Sequence, residues 1–238
     1  MKNLTTGGVL LTFDDNNNID SWYNAIDLFR EFNAKATFFI NAPDEINNTQ
    51  WQQLKELAEQ GHDVGCHGWR HEKAVDYCHS HSLEAWLRNE ILIAYNALRD
   101  RGFNVTSYGY PCSQQDPVTN HALKQYFHHA RTGTGFLKNQ ALDELNEIYT
   151  PLKKVPGRFL LPGKSIDKLK DISLIENAFQ RAARQSEIVV FYGHRLGTEE
   201  EGKKVKNLTY INFLRKVLEQ AQTKKLEFYT FQDLPFSH

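Results

Sequence analysis

The chain has 238 residues with 28 Lys and Arg against 29 Asp and Glu, so its formal charge is −1, and 40% of it is hydrophobic. That balance supplies no field to attract nucleic acid or an anionic membrane, and no run approaches the roughly 18 apolar residues of a membrane span. Cys66, Cys78 and Cys112 cannot all pair and form no C-x-x-C, which excludes a disulfide scaffold and favours a reducing compartment. Met1 to Gly8 shows neither the basic nor the apolar region of a signal peptide, so a cytoplasmic address is expected, or a secreted or periplasmic one if a leader was trimmed.

Val9 to Phe13 is a short apolar run that stops at Asp14 and Asp15, a buried strand opening into a loop. Trp22, Ile26, Phe29 and Phe32 mark a helical stripe from Ile19 to Phe32. Strands are predicted at Lys35 to Ile40 and Asp63 to Cys66, with a helix over Thr49 to Gln60 between them. Leu83 to Arg101 reads as a long amphipathic helix, capped by Ser80 or Ser82 and ended by Gly102. Ser107 to Tyr110 suits a strand, Val118 to Phe127 a helix opened by Asp116-Pro117, and His128 to Thr132 a fifth strand. Residues 134 to 168, with Pro151, Pro156 and Pro162, read as loops and short pieces. A helix over Lys170 to Ser186, a strand over Glu187 to Tyr192, a helix over Asn207 to Gln222 and a strand over Leu226 to Phe231 complete the chain. Short strands alternating with helices, and no linker, give one α/β domain of barrel type spanning residues 1–238.

In such folds chemistry gathers where strands end at their carboxyl side. The first apolar run delivers Asp14 and Asp15 there; the third delivers Cys66 and His67, closely followed by His71. The fourth delivers Tyr110, Pro111 and Cys112, and the late strand delivers Gly193 and His194. His67 and His71 are the sole H-x-x-x-H pair, and with one carboxylate they make a set that leaves positions open on a metal. Adjacent carboxylates repel, a difficulty removed if one Asp ligates a divalent cation while the other serves as a base. Cys112 has no identifiable base beside it and is read as a lining residue, while Trp22, Phe29 and Trp86 fall on helical stripes and are read as core.

Leu11-Thr12-Phe13-Asp14-Asp15, Gly65-Cys66-His67-Gly68-Trp69-Arg70-His71, Tyr110-Pro111 and Tyr192-Gly193-His194 follow in the order and spacing of the polysaccharide deacetylases, the NodB-homology or carbohydrate esterase 4 type. The closing Phe228 to Leu234 also resembles that family's last strand. The resemblance implies a distorted (β/α) barrel of about seven parallel strands, related to the TIM barrel. It implies hydrolysis of an acetyl group on an N-acetylated sugar or polysaccharide, with a metal-bound water as nucleophile. Asp15, His67 and His71 would hold one divalent metal, zinc first and cobalt or nickel as substitutes; Asp14 would be the base and His194 the acid. The backbone N–H of Cys112 would serve the oxyanion, and Tyr110, Pro111 and Tyr192 would line the substrate.

This sequence departs from the family pattern at Asn16, where a Gly usually follows the double Asp, and in three further places. The third motif has no Arg, for which Arg131 is a substitute; no Asp-x-x-Asp-Trp tethers the catalytic His; and Tyr192 stands where a Leu usually lines the acetyl pocket. The expected partner is an acetylated glycan, with no nucleic acid and no membrane span, and the oligomeric state is open. Competing readings are an amidohydrolase acting on a small non-sugar amide and a non-catalytic carbohydrate-binding relative.

Overall fold

Burial along Gly8–Asp14 sets the plan of the molecule. In the computed structural model, which describes residues 4–134 and 141–237, this segment is β1 and all of it is buried. A strand without a wet face needs cover on both sides, the condition of parallel strands wrapped by helices. Val9, Leu11 and Phe13 join the large apolar cluster shared with the helices, and Leu10 joins Phe39, Leu161, Ile188 and Val190 in a second one. The period of two thus divides each strand between an outer layer and a barrel interior.

After β1 come β2 (Thr37–Ile40), β3 (Asp63–Cys66), β4 (Ser107–Gly109), β5 (His129–Gly133), β6 (Tyr149–Pro151), β7 (Leu160–Ser165) and β8 (Glu187–Gly193). Seven of these run parallel in the order β1-β2-β3-β4-β5-β7-β8, and β8 pairs back onto β1 from Gly8↔Ile188 to Phe13↔Gly193. The sheet therefore closes into the expected distorted barrel. β6 adds to β8 antiparallel. β9 (Arg195–Gly197) and β10 (Leu208–Tyr210) form a separate pair, and β11 (Glu227–Tyr229) pairs with the first half of β1. Phe231 and Leu234 then enter the interior cluster, with Phe231 N–H on Thr37 Oγ1 at 3.0 Å and Gln232 N–H on Asp63 Oδ2 at 3.2 Å. Thr37 and Asp63 begin β2 and β3, so this turn stoppers the end of the barrel opposite the strand exits.

The sequence reading needs correction in four places. Residues 141–168 are more regular than expected and hold β6 and the barrel strand β7, while 135–140 lie outside the described residues. Pro162 and Gly163 disguised β7: Pro162 pairs with Thr132, and a Cβ on Gly163 would stand 2.9 Å from Val190 Cγ1, so the close approach to β8 needs glycine. The single helix over Ile19 to Phe32 is two, Ile19–Tyr23 and Ile26–Glu31. The last helix begins later than expected, at Ile211, because Leu208–Tyr210 is β10. The long helix from Leu83 to Asp100 is continuous but carries a π turn over Leu87–Leu92.

Trp22, Phe29 and Trp86 are fully buried, as their helical spacing indicated. Ser82 is the cap that opens the long helix, accepting from Ala85 N–H at 3.1 Å. The helix Pro117–Leu123 opens as its sequence indicated, with Asp116 Oδ1 accepting from Thr119 N–H at 2.8 Å and Pro117 in the first position. Asp116→Ala is expected to remove about 1 kcal/mol of stability. Urea unfolding should show that loss as a lower midpoint with an unchanged slope.

Candidate active site

The end of β1 turns sharply. Asp15 has φ 80°, a left-handed conformation costly for a residue with a Cβ, and its N–H bonds Phe39 O at 3.1 Å. The kink separates two adjacent carboxylates. Asp14 continues the interior row Leu10–Thr12–Asp14 and is buried, whereas Asp15 swings to the rim and is half-buried.

Asp15 meets His67 and His71 there. Asp15 Oδ1 lies 3.7 Å from His67 Nε2 and 3.5 Å from His71 Nε2, and the three ligand atoms all lie within 4.8 Å of one another. Donors bound at about 2.1 Å around a tetrahedral ion would stand about 3.4 Å apart, so the set suits a divalent metal. The tautomer suits it too. His67 Nδ1 lies 2.7 Å from the Gly109 carbonyl, which can only accept, so Nδ1 carries the proton and Nε2 presents a lone pair to the site. Burial holds the His67 imidazole below its ordinary pKa despite the carboxylates beside it, which keeps it neutral and able to ligate. His71 is also left-handed, at φ 61°, so two of the three donors sit on strained backbone.

Arg131 reaches Asp14 from inside the barrel. It stands on β5 and its Nη2 hydrogen-bonds Asp14 Oδ2, with the guanidinium between the rings of Phe39 (5.4 Å) and Tyr192 (4.8 Å). Burial alone would push the Asp14 carboxyl up; Arg131, with His67 and His194, outweighs it and holds the group below the ordinary carboxylate value. Asp14 is thus ionised, and its Oδ1, buried, has no partner among the described residues. An anionic acceptor left open beside a cluster able to hold a metal is an arrangement that can take a proton.

His194 follows β8. Its Nδ1 lies 2.5 Å from Asp167 Oδ2, and its N–H donates to Asp167 Oδ1 at 3.2 Å. Thr209 Oγ1 donates to the same Oδ1 at 2.7 Å, and Trp22 Nε1 donates to the His194 carbonyl at 2.8 Å. Burial would lower the His194 pKa, but the Asp167 hydrogen bond and the charge of Asp14 reverse this and leave it raised. Asp167 supplies the tether that no motif in the sequence revealed. It lies two residues past β7, the strand hidden by its proline and glycine.

The remaining predicted residues divide. Tyr192 is brought to the site, with its ring against Arg131 and its hydroxyl bonded to Ser113. Cys112 and Ser113 take left-handed conformations (φ 51° and 59°) in the turn after β4, which is tied to β5 by Gly133 N–H on Ser113 Oγ at 2.8 Å. Cys112 is exposed and Pro111 buried in the same turn. Tyr110 is fully buried and its hydroxyl donates to Asn120 Oδ1 at 2.9 Å, so its side chain faces away from the Asp15, His67 and His71 cluster.

Solved structures with this fold include a carbohydrate esterase from Streptococcus mutans, which matches 95% of this chain and 87% of that one with a TM-score of 0.60 at 17% identity. Another is the catalytic domain of a peptidoglycan N-acetylglucosamine deacetylase from Eubacterium rectale, with a TM-score of 0.55 at 18% identity over 99% and 94%. In sequence, 70 residues are 36% identical to the peptidoglycan-N-acetylglucosamine deacetylase PgdA of Listeria monocytogenes, a stretch covering 29% of this chain and 15% of that protein. The polysaccharide deacetylase family pattern matches residues 2–131, more than half of the chain and the part that carries Asp14, Asp15, His67, His71 and Arg131; the protein belongs to that family.

Proposed function

We propose that the protein is a metal-dependent hydrolase that removes an acetyl group from an N-acetylated sugar or polysaccharide. The observation that carries this reading is the convergence, at the strand exits, of the Asp15–His67–His71 set with two charge-assisted pairs, Asp14–Arg131 and His194–Asp167. Asp15, His67 and His71 would hold a divalent ion, zinc by preference, which would supply Lewis-acid polarisation of the acyl oxygen and make water more acidic. Asp14, kept ionised by Arg131, takes one proton from the attacking water. The Cys112 N–H donates to the oxygen on which negative charge develops, a contribution of about 3 kcal/mol. His194, held as imidazolium by Asp167, gives its proton to the departing nitrogen, so water adds across the amide and acetate and a free amine leave.

Elemental analysis of the purified chain is expected to find about one divalent ion per molecule, lost in Asp15→Ala and His71→Ala together with acetate release from N-acetylglucosamine oligomers. A wild-type chain with no affinity for zinc, cobalt or nickel would overturn the reading. Tyr192, which stands where the family usually has a Leu, with its ring 4.8 Å from the Arg131 guanidinium and its hydroxyl bonded to Ser113, favours one alternative, a small non-sugar amide as substrate. Turnover of small amides with none of acetylated glycans would select it.

A further inference from the structure

We infer that Glu90 is the positioning residue that holds His71 in its ligating place, gathering the backbone N–H groups on both sides of that histidine into one buried carboxylate. The inference rests on reading Asp15, His67 and His71 as a metal set.

The segment between Cys66, where β3 ends, and the helix Ala74–Ser80 contains no regular structure. It must nevertheless return His71 to within reach of His67, whose ring centroid lies 4.8 Å from that of His71. The turn is made by Gly68 at φ 87° and by His71 itself at φ 61°. A left-handed histidine does not hold that conformation unaided; the surroundings have to impose it. Glu90 does so. Its Oε1 and Oε2 accept from Arg70 N–H at 3.1 and 2.9 Å, and Oε2 also accepts from Glu72 N–H at 3.3 Å. The clamp extends to the start of the turn, since a Cβ on Gly68 would stand 3.1 Å from Glu90 Oε2.

Two features set Glu90 apart from a residue that merely fills space. It is buried, yet no Lys or Arg side chain hydrogen-bonds it among the described residues; the neighbouring Arg70 guanidinium is committed to Asp44 at 2.8 and 2.7 Å. An unpaired buried carboxylate is costly where packing alone is wanted, and an apolar side chain would serve the helix better. It also lies within the π turn Leu87–Leu92, in the middle of an otherwise α-helical segment. Such turns shift the side chains that follow around the helix axis and recur at functional sites. Metal-ligating histidines depend on outer contacts of this kind for orientation.

The test is zinc affinity of the metal-stripped full chain, measured by competition with a chromophoric chelator. Glu90→Gln keeps the shape but brings an amide N–H₂ towards backbone donors, and it is expected to weaken zinc binding about 10- to 100-fold. Leu98→Ala, on the same helix and fully buried, lowers the melting temperature but is expected to keep the wild-type zinc affinity. Zinc binding by Glu90→Gln as tight as by wild type would overturn the inference. Amide hydrogen exchange of the zinc-free wild type gives an independent reading that stands even where the variant does not fold. Arg70 and Glu72 amides should be protected although they lie in a loop, and exchange at free-loop rates would overturn Glu90's role whatever the chain does with zinc. A wild type with protected amides that takes up no zinc would instead overturn the metal reading, and the positioning role with it.

Discussion

Arg131→Leu is expected to destabilise the protein by about 3–5 kcal/mol, because it leaves the Asp14 carboxylate buried without its cation. The pair is enclosed on all sides, with Arg131 1% and Asp14 3% exposed, so little solvent screening softens the loss. The same change should alter the pH dependence of catalysis. With Arg131 in place the Asp14 pKa is lowered, so the proposed base stays ionised through mildly acid solution. With leucine, burial is opposed only by His67 and His194, and the carboxyl moves up. The acid limb of kcat/KM should therefore shift to higher pH. Stability should follow the same linkage. A depressed carboxylate contributes stability that is full above its unfolded value of about 3.8 and is lost as pH falls through the folded value. The gap between wild type and Arg131→Leu should therefore narrow on acidification. Urea unfolding at several pH values, with a pH–rate profile, checks both; equal stability of the two proteins at neutral pH would show that the Asp14–Arg131 pair does not stabilise the fold.

Arg131 also shows how sequence and structure meet at this site. Its place within a predicted strand made it a candidate for the missing third-motif arginine, but nothing in the sequence told whether it pointed inward. The period of two on β5 settles that, since Ala130 lies in the outer cluster and Arg131 on the other face, inside the barrel. The clustering of Asp15, His67 and His71 was legible because Asp15 ends a clear apolar run and His67 and His71 follow a short strand by a few residues. Asp167 was not legible, because its strand contains Leu160-Leu161-Pro162-Gly163 and reads as a broken loop. The π turn within the long helix was equally hidden, since no residue type marks the place where a helix takes in one extra residue. Tyr110 misled in the opposite sense. It stands at a strand exit as the other site residues do, yet the turn that begins at Pro111 leaves its ring packed against Tyr108 at 5.1 Å and bonded to Asn120. Position along a strand reports which end of the barrel a residue occupies, and the local backbone decides which way it faces.

Asp167→Asn should test the acid arm of the mechanism without removing the acid. His194→Ala deletes the proposed proton donor and is expected to slow turnover about 10²- to 10⁴-fold. Asp167→Asn leaves the imidazole in place and keeps an oxygen able to accept from Nδ1, but it removes the charge that holds His194 protonated. In wild type, burial lowers the His194 pKa and Asp167 with Asp14 raises it above 6.5. Without the Asp167 charge the balance tips towards burial, so the alkaline limb of kcat should move to lower pH. Activity at the acid end of the profile should suffer less than activity at pH 8. Stability carries the matching sign. A histidine whose folded pKa is raised contributes stability that is full below about 6.5 and is lost as pH rises through the folded value. The stability difference between wild type and Asp167→Asn should therefore be largest in mildly acid solution and shrink as pH increases. An alkaline limb that stays where it is in wild type, with kcat merely scaled down, would mean that Asp167 only orients the ring and that the departing nitrogen takes its proton from another group.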